Sequence, residues 1–155
     1  MSLILDGSAG VTFPSGSGTQ AAQSKVLQVV SGTIQTQIST TSTSFVSTGL
    51  TASITPLFST SKIYVVANGV FETTTSGNFY ATIYRNSTNV GNATSGMTQL
   101  NSQGNWYSNT MTYLDSPATT SSTSYTVYYR QGAGNTAYFG GDSCLCTITL
   151  MEIAQ

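Results

Sequence analysis

From Lys25 to the C-terminus no segment carries apolar residues at helical spacing; short runs rich in Val, Ile, Thr, Tyr and Phe alternate instead with clusters of Gly, Asn, Ser and Pro. β-Branched and aromatic side chains suit a pleated, half-buried surface, and the small residues between them supply turns. The chain is thereby confined to all-β architectures. Candidate strands are Val26–Val30, Thr33–Ser39, Ser44–Val46, Leu50–Ile54, Lys62–Thr73, Phe79–Arg85, Met97–Asn101, Trp106–Leu114, Ser124–Arg130, Thr136–Phe139 and Cys144–Ile153. Ile34, Thr36 and Ile38 face one way and Gln35 and Gln37 the other, as in an antiparallel sheet with one face on a core. Turn signals at Ser76-Gly77-Asn78, Asn89 to Asn92, Gly132 to Asn135 and Gly140-Gly141-Asp142 space these runs as in an antiparallel β-sandwich of the jelly-roll kind. Asn68-Gly69 falls inside a long apolar run and reads as a bulge or bend, not a reversal. No strict repeat is present, which disfavours a propeller or β-helix.

Two runs, Ile63 to Ala67 and Phe79 to Tyr84, are apolar at both odd and even positions. A small sandwich has one inner face per sheet, so a second covered face implies another subunit, although exposed Tyr and Val are also ordinary on β surfaces. Residues 1–24 differ in texture: two apolar islands, Leu3-Ile4-Leu5 and Val11-Thr12-Phe13, are separated by turn residues and followed by a Gly/Ser-rich stretch. Islands this small cannot form a core, so 1–24 is expected to be an extended arm that docks elsewhere, and 25–155 the β-domain. Leu3, Ile4, Leu5, Val11 and Phe13 are the candidate docking residues.

Only 6% of the residues are charged and none is histidine, against roughly a quarter charged in ordinary domains. Ser, Thr, Asn, Gln and Gly make up 83 of the 155 residues. Ser-His-Asp and Cys-His catalysis lack their base. Glu72, Asp115 and Asp142, the carboxylates a glycosidase would need, stand singly at strand ends or turns. No Gly-Lys-Ser or Gly-Lys-Thr follows a glycine-rich segment, so a phosphate loop is missing. The sequence reads as non-enzymatic, with no cofactor. Four cations and a net charge of −1 offer no stripe for nucleic acid, and weak charge of either sign leaves little electrostatic protection against association. No basic-then-apolar leader opens the chain, and no run approaches the ~20 apolar residues of a membrane span. Cys144 and Cys146, two apart in a candidate strand, read as reduced thiols acting as small core residues; with no third Cys and no His they make a poor metal site. Asn86-Ser87-Thr88 and Asn92-Ala93-Thr94 fit the N-glycosylation pattern, as chance allows in so Asn- and Thr-rich a chain.

Trp106-Tyr107, following Asn101 to Asn105, is the one aromatic pair suited to recognition. Aromatic faces flanked by amides make sugar sites, so Trp106, Tyr107 and Asn105 are candidate glycan contacts, against the plainer reading that the sole Trp packs in the core or at a subunit contact.

Several stretches together resemble tailed-bacteriophage virion surface proteins: Leu5 to Pro14, Ser24 to Val30, Thr48 to Pro56, Ser61 to Val66 and Ile148 to Ala154. The resemblance implies a non-enzymatic virion component, made in the host cytoplasm and not secreted, and a homotrimer. It would be either a capsid decoration (cement) protein bound to the major capsid protein on the outer capsid surface, or a tail-fibre receptor-binding module recognising a host glycan. Without a coiled-coil or β-helical shaft, and beginning at Met1, the sequence favours decoration.

Overall fold

The structure, a computed structural model, describes residues 4–6, 10–12, 25–74, 77–102 and 104–155. Thirteen strands and one 3-10 turn follow in chain order: β1 (Ile4–Asp6), β2 (Gly10–Thr12), β3 (Val26–Ile34), β4 (Ile38–Thr40), β5 (Val46–Ile54), β6 (Lys62–Thr73), β7 (Gly77–Arg85), β8 (Thr88–Asn89), β9 (Thr98–Ser102), β10 (Tyr107–Asp115), β11 (Thr123–Gln131), β12 (Ala137–Phe139), the turn Gly141–Ser143, and β13 (Cys146–Ile153).

Apart from β1 and β2, which pair with each other, these pieces reduce to two four-stranded antiparallel sheets. In the first, β12 and β13 lie end to end along one edge of β6, and β10 runs the length of its other edge. β4 and β3 lie end to end beyond β12 and β13. In the second, β11 is central between β5 and β7, and β8 and β9 share the far edge of β7. Apart from the step from β7 to β8 and β9, each successive full-length strand crosses to the opposite sheet. This is the eight-stranded, two-Greek-key order of a jelly roll.

Alternation along the strands builds the core. β6 buries Ile63, Val65, Ala67, Phe71 and Thr73, β11 buries Thr123, Tyr125, Val127, Tyr129 and Gln131, and β13 buries Cys146, Ile148, Leu150 and Glu152. At one end of the sandwich Phe71 meets Phe79 at 4.5 Å between ring centroids and Phe139 at 5.0 Å, with Tyr129 at 5.8 Å from Phe79. Tilted rings at these distances add attraction beyond the area they bury.

Three features depart from the sequence reading. The expected strand at 33–39 is interrupted: β3 ends at Ile34 and β4 begins at Ile38, with Thr36 exposed between them. The break lies beside a second one, residues 140–145 between β12 and β13, opposite Gly69 and Val70 of β6; the Gly140 amide donates to the Val70 carbonyl at 2.9 Å. β6 runs through Asn68-Gly69 with no reversal and without the expected bulge in its register with β10; a Cβ on Gly69 would sit 2.3 Å from the Phe139 ring, so glycine is needed for close approach. Conversely, the expected strands at 44–46 and 50–54 are one strand. β5 takes up extra residues opposite β11 at Gly49 (φ 77°), and the Thr48 hydroxyl seals the bulge by donating to the Val127 carbonyl at 2.8 Å. Finally, the expected arm holds a strand pairing that the sequence reading lacks: β1 and β2 pair antiparallel, Leu5 opposite Val11.

Along one side the two sheets touch backbone to backbone, because a Cβ on Gly32 of β3 would lie 1.9 Å from the Thr51 carbonyl oxygen of β5. Gly32→Ala must push the sheets apart and is expected to cost about 2–3 kcal/mol. Gly49→Ala has open space around it and carries only the left-handed backbone cost of about 1 kcal/mol. Thermal unfolding of the two variants checks this: the drop in Tm must be larger for Gly32→Ala.

Candidate binding surfaces

Of the arm residues, Ile4 and Leu5 lie in β1 and Val11 in β2, whereas Leu3 and Phe13 lie outside the described residues.

The outer face of the first sheet is graded along its strands. One row across all four strands reads Val29, Met151, Tyr64, Leu114; the next reads Ser31, Thr149, Val66, Thr112; the next Thr33, Thr147, Asn68, Thr110. The apolar row lies near the end where the chain enters β3 and leaves β13. There Val29 is 58% exposed, Leu114 51% and Val26 40%, and the loop from β5 to β6 at the same end displays Leu57 at 60% and Phe58 at 56%. The doubly apolar pattern of 63–67 thus puts Tyr64 and Val66 on a face that no described element of the chain covers. For β7 the outcome differs: Thr82 on its outer side is buried and donates to Asn89 Oδ1 at 2.6 Å, so the chain covers part of that face itself.

The loop carrying Leu57 and Phe58 is held by Glu152, whose side chain points inward from β13 and is fully buried. Its carboxylate accepts the Leu57 amide at 2.8 Å, the Phe58 amide at 3.4 Å and Gln28 Nε2 at 2.6 Å. Gln28 Nε2 also donates to the Thr55 carbonyl at 2.8 Å. Burial alone would raise the Glu152 carboxyl, but the hydrogen bonds from Gln28 and the two amides outweigh it and hold it below the ordinary carboxylate value. A second buried polar group lies at the same end. Arg85 Nη1 donates to both oxygens of Asp115, at 2.9 and 3.0 Å, and the Tyr125 hydroxyl donates to Asp115 Oδ2 at 2.6 Å. Burial and then the adjacent Asp115 push the Tyr125 hydroxyl well above the ordinary phenol value. Asp115 is on β10 and its partners on β7 and β11, so the group ties one sheet to the other.

Trp106, Tyr107 and Asn105 are placed differently. The indole lies flat over Gly141, where a Cβ would be 2.1 Å from the ring, and 6.2 Å from the Tyr138 ring. Tyr107 opens β10 with its side chain 46% exposed, and neighbouring strand residues point to opposite faces. Asn105 is exposed. Cys146 is buried as expected, and burial raises its thiol, but Cys144 is exposed ahead of β13. Among the described residues, no three Cys, Asp or Glu side chains cluster to hold a metal.

No protein-family model and no curated protein sequence matches the chain. Solved structures that resemble it in shape include those of the VP2 capsid protein of infectious bursal disease virus. A mutant VP2 from T=1 particles superposes with a TM-score of 0.43 at 17% identity, over 82% of this chain and 36% of that one. The VP2 subviral particle gives 0.43 at 16% identity, over 84% and 39%, and the Gx strain 0.34 at 15%, over 84% and 38%. The chain spans little more than a third of the length of those proteins.

Glu152→Gln places one amide against another at Gln28 and weakens the hold on the loop, with an expected cost of about 1–3 kcal/mol. Because the folded carboxyl titrates below its unfolded value, its contribution is complete above the ordinary carboxylate pKa of about 4.3 and is lost as pH falls through the folded value. Denaturant titrations should therefore show wild type and variant furthest apart at neutral pH and converging in acid.

Proposed function

We propose that the protein is a non-enzymatic structural component of a virion, a decoration protein that seats on the outer surface of a capsid and holds neighbouring capsid subunits together. The observation that carries this reading is the apolar end of a nearly uncharged jelly roll, where Val26, Val29, Leu57, Phe58 and Leu114 are displayed on braced strands and a braced loop. The resemblance to phage virion surface proteins in the sequence points the same way. The start of β3, which follows the proposed arm in sequence, lies at this end, where the Lys25 carbonyl accepts the Ala154 amide at 2.8 Å. Arm and apolar end then address one partner, the major capsid protein. With so few charges, attachment draws on apolar burial at about 25 cal/mol per Å² and on backbone hydrogen bonds, and depends little on salt. A homotrimer would present three arms and raise modest single-site affinity through effective concentration.

Copy number in purified particles separates decoration from the fibre alternative: hundreds of copies support the former, tens or fewer the latter. Particles stripped of the protein are expected to lose thermal or osmotic stability while still attaching to cells. Loss of attachment with stability intact would favour the fibre reading. Leu57→Ser with Phe58→Ser changes exposed side chains only, so folding should shift by no more than about 0.5 kcal/mol for each while particle binding falls, as measured by co-sedimentation. Light scattering on the free protein should give a trimer mass; a monomer at micromolar concentration would oppose the assembly reading.

A further inference from the structure

On the outer face of the second sheet, away from the apolar row, lies a cleft of about 450 Å³ lined by Thr43, Ser44, Phe45, Tyr84, Thr94 and Arg130. Its walls are two loops, one joining β4 to β5 and the other joining β8 to β9, and Arg130 of β11 spans between them. Arg130 Nε donates to the Thr94 carbonyl at 3.2 Å, Nη2 donates to the same oxygen, and Nη1 donates to the Thr43 carbonyl at 3.3 Å and the Gln131 carbonyl at 3.4 Å. The guanidinium lies 4.0 Å over the Tyr80 ring and 5.4 Å from the Phe45 centroid. The second loop is equally fixed: Asn92 Oδ1 accepts the Thr94 and Ser95 amides, and a Cβ on Gly96 would lie 2.4 Å from the Ala81 carbonyl oxygen. Tyr84 in turn stacks on Tyr128 at 3.9 Å and meets Phe45 edge-on at 6.5 Å. The cleft is built before any ligand arrives.

Three properties of its lining narrow what it would take. Every hydrogen bond of Arg130 goes to a neutral carbonyl, so its charge has no carboxylate partner among the described residues. Four bonds occupy four of the five guanidinium hydrogens, leaving one on Nη2. The hydroxyls of Thr43, Ser44 and Thr94 make no hydrogen bond among the described residues, while Phe45 and Tyr84 offer apolar ring surface. A sugar ring has an apolar face for aromatics and a hydroxyl rim for hydroxyls, and a carboxylate on it would meet the unpaired charge through a charge-assisted bond. An acidic peptide satisfies the charge but leaves the three hydroxyls and the rings poorly used. From this cleft we infer that the protein binds a carboxylate-bearing saccharide, about one or two sugar rings of a uronic-acid-containing glycan. The inference does not depend on the virion reading.

The test is an amide and Arg side-chain NMR titration of the full chain with trigalacturonic acid, with galactotriose and a triglutamate peptide as comparators. Saturable shifts at Phe45, Thr94 and Arg130, with the neutral sugar and the peptide each bound at least about tenfold more weakly, are expected for loss of one charge-assisted bond or of the ring contacts. Arg130→Gln should remove the preference for the acidic sugar. Because that change also releases the two loops, Ala93→Trp provides a second variant: Ala93 is exposed on the rim, and the added ring fills the cleft and should abolish the shifts while the remaining spectrum is kept. Absence of saturable shifts in the wild type, equal affinity for galactotriose, equal affinity for triglutamate, or unchanged binding by Ala93→Trp would each overturn the proposal.

Discussion

Four rings set the distance between the two sheets. Phe71 and Phe139 come from the first sheet, Phe79 and Tyr129 from the second, and their tilted contacts at 4.5 to 6.2 Å fill the interior at one end of the jelly roll. With rings this large between them, sheets that must also touch at one margin can do so only where a side chain is missing, which is why β3 carries Gly32 against the Thr51 carbonyl. The same demand explains Gly69, which makes room for the Phe139 ring within β6. Large residues at the centre and glycines at the points of closest approach are two parts of one packing solution.

At the opposite end polar groups replace rings. Asp115 with Arg85 and Tyr125, and Glu152 with Gln28 and two loop amides, are buried and hydrogen-bonded on several sides. In a chain with five acidic residues, Asp115 and Glu152 lie in the interior, and their value lies in geometry: each fixes the position of a neighbouring element, and each would be costly to leave half satisfied. The surface is correspondingly neutral. What it presents is determined by which strand rows happen to be apolar and which are threonine, not by charge.

The strand content and the jelly-roll class were legible because period-2 alternation and turn residues are local signals, and β6, β7, β10 and β11 follow them to within a residue or two over most of their length. The break at 140–145 was legible from Gly140-Gly141-Asp142, but its counterpart at 35–37 was not, since nothing in Gln35-Thr36-Gln37 announces a gap; it exists because the neighbouring segment leaves the sheet there and Trp106 lies over Gly141. The bulge at Gly49 likewise reads as a gap between strands, because a glycine after Ser47-Thr48 looks like a turn until the Thr48 hydroxyl closes the ladder. Of the surfaces, the outward Tyr64 and Val66 were visible as a doubly apolar run, but Leu57 and Phe58 were hidden in a short loop whose exposure depends on Glu152, ninety-odd residues away. Arg130 gave no sequence signal at all: a lone cation in a strand acquires its setting only when Phe45, Tyr80 and Thr94 converge on it.

A jelly roll has two outer faces, and here they differ in kind. The first sheet shows an apolar row and braced apolar loop beside the start of β3, with no described element over it. The second sheet is partly covered by its own β8–β9 segment, which leaves a concave, aromatic and cationic cleft instead of a flat row. Flat apolar surface gains most from burial against an equally extended partner surface, whereas a preformed concavity with a few aimed polar groups gains most from a small ligand. Because the faces are on opposite sheets, a partner seated on the first leaves the second open to solvent. The two proposed roles therefore make no competing demand on the same residues, and substitutions at Leu57 or Val29 and at Arg130 or Tyr84 act on separate faces of the sandwich.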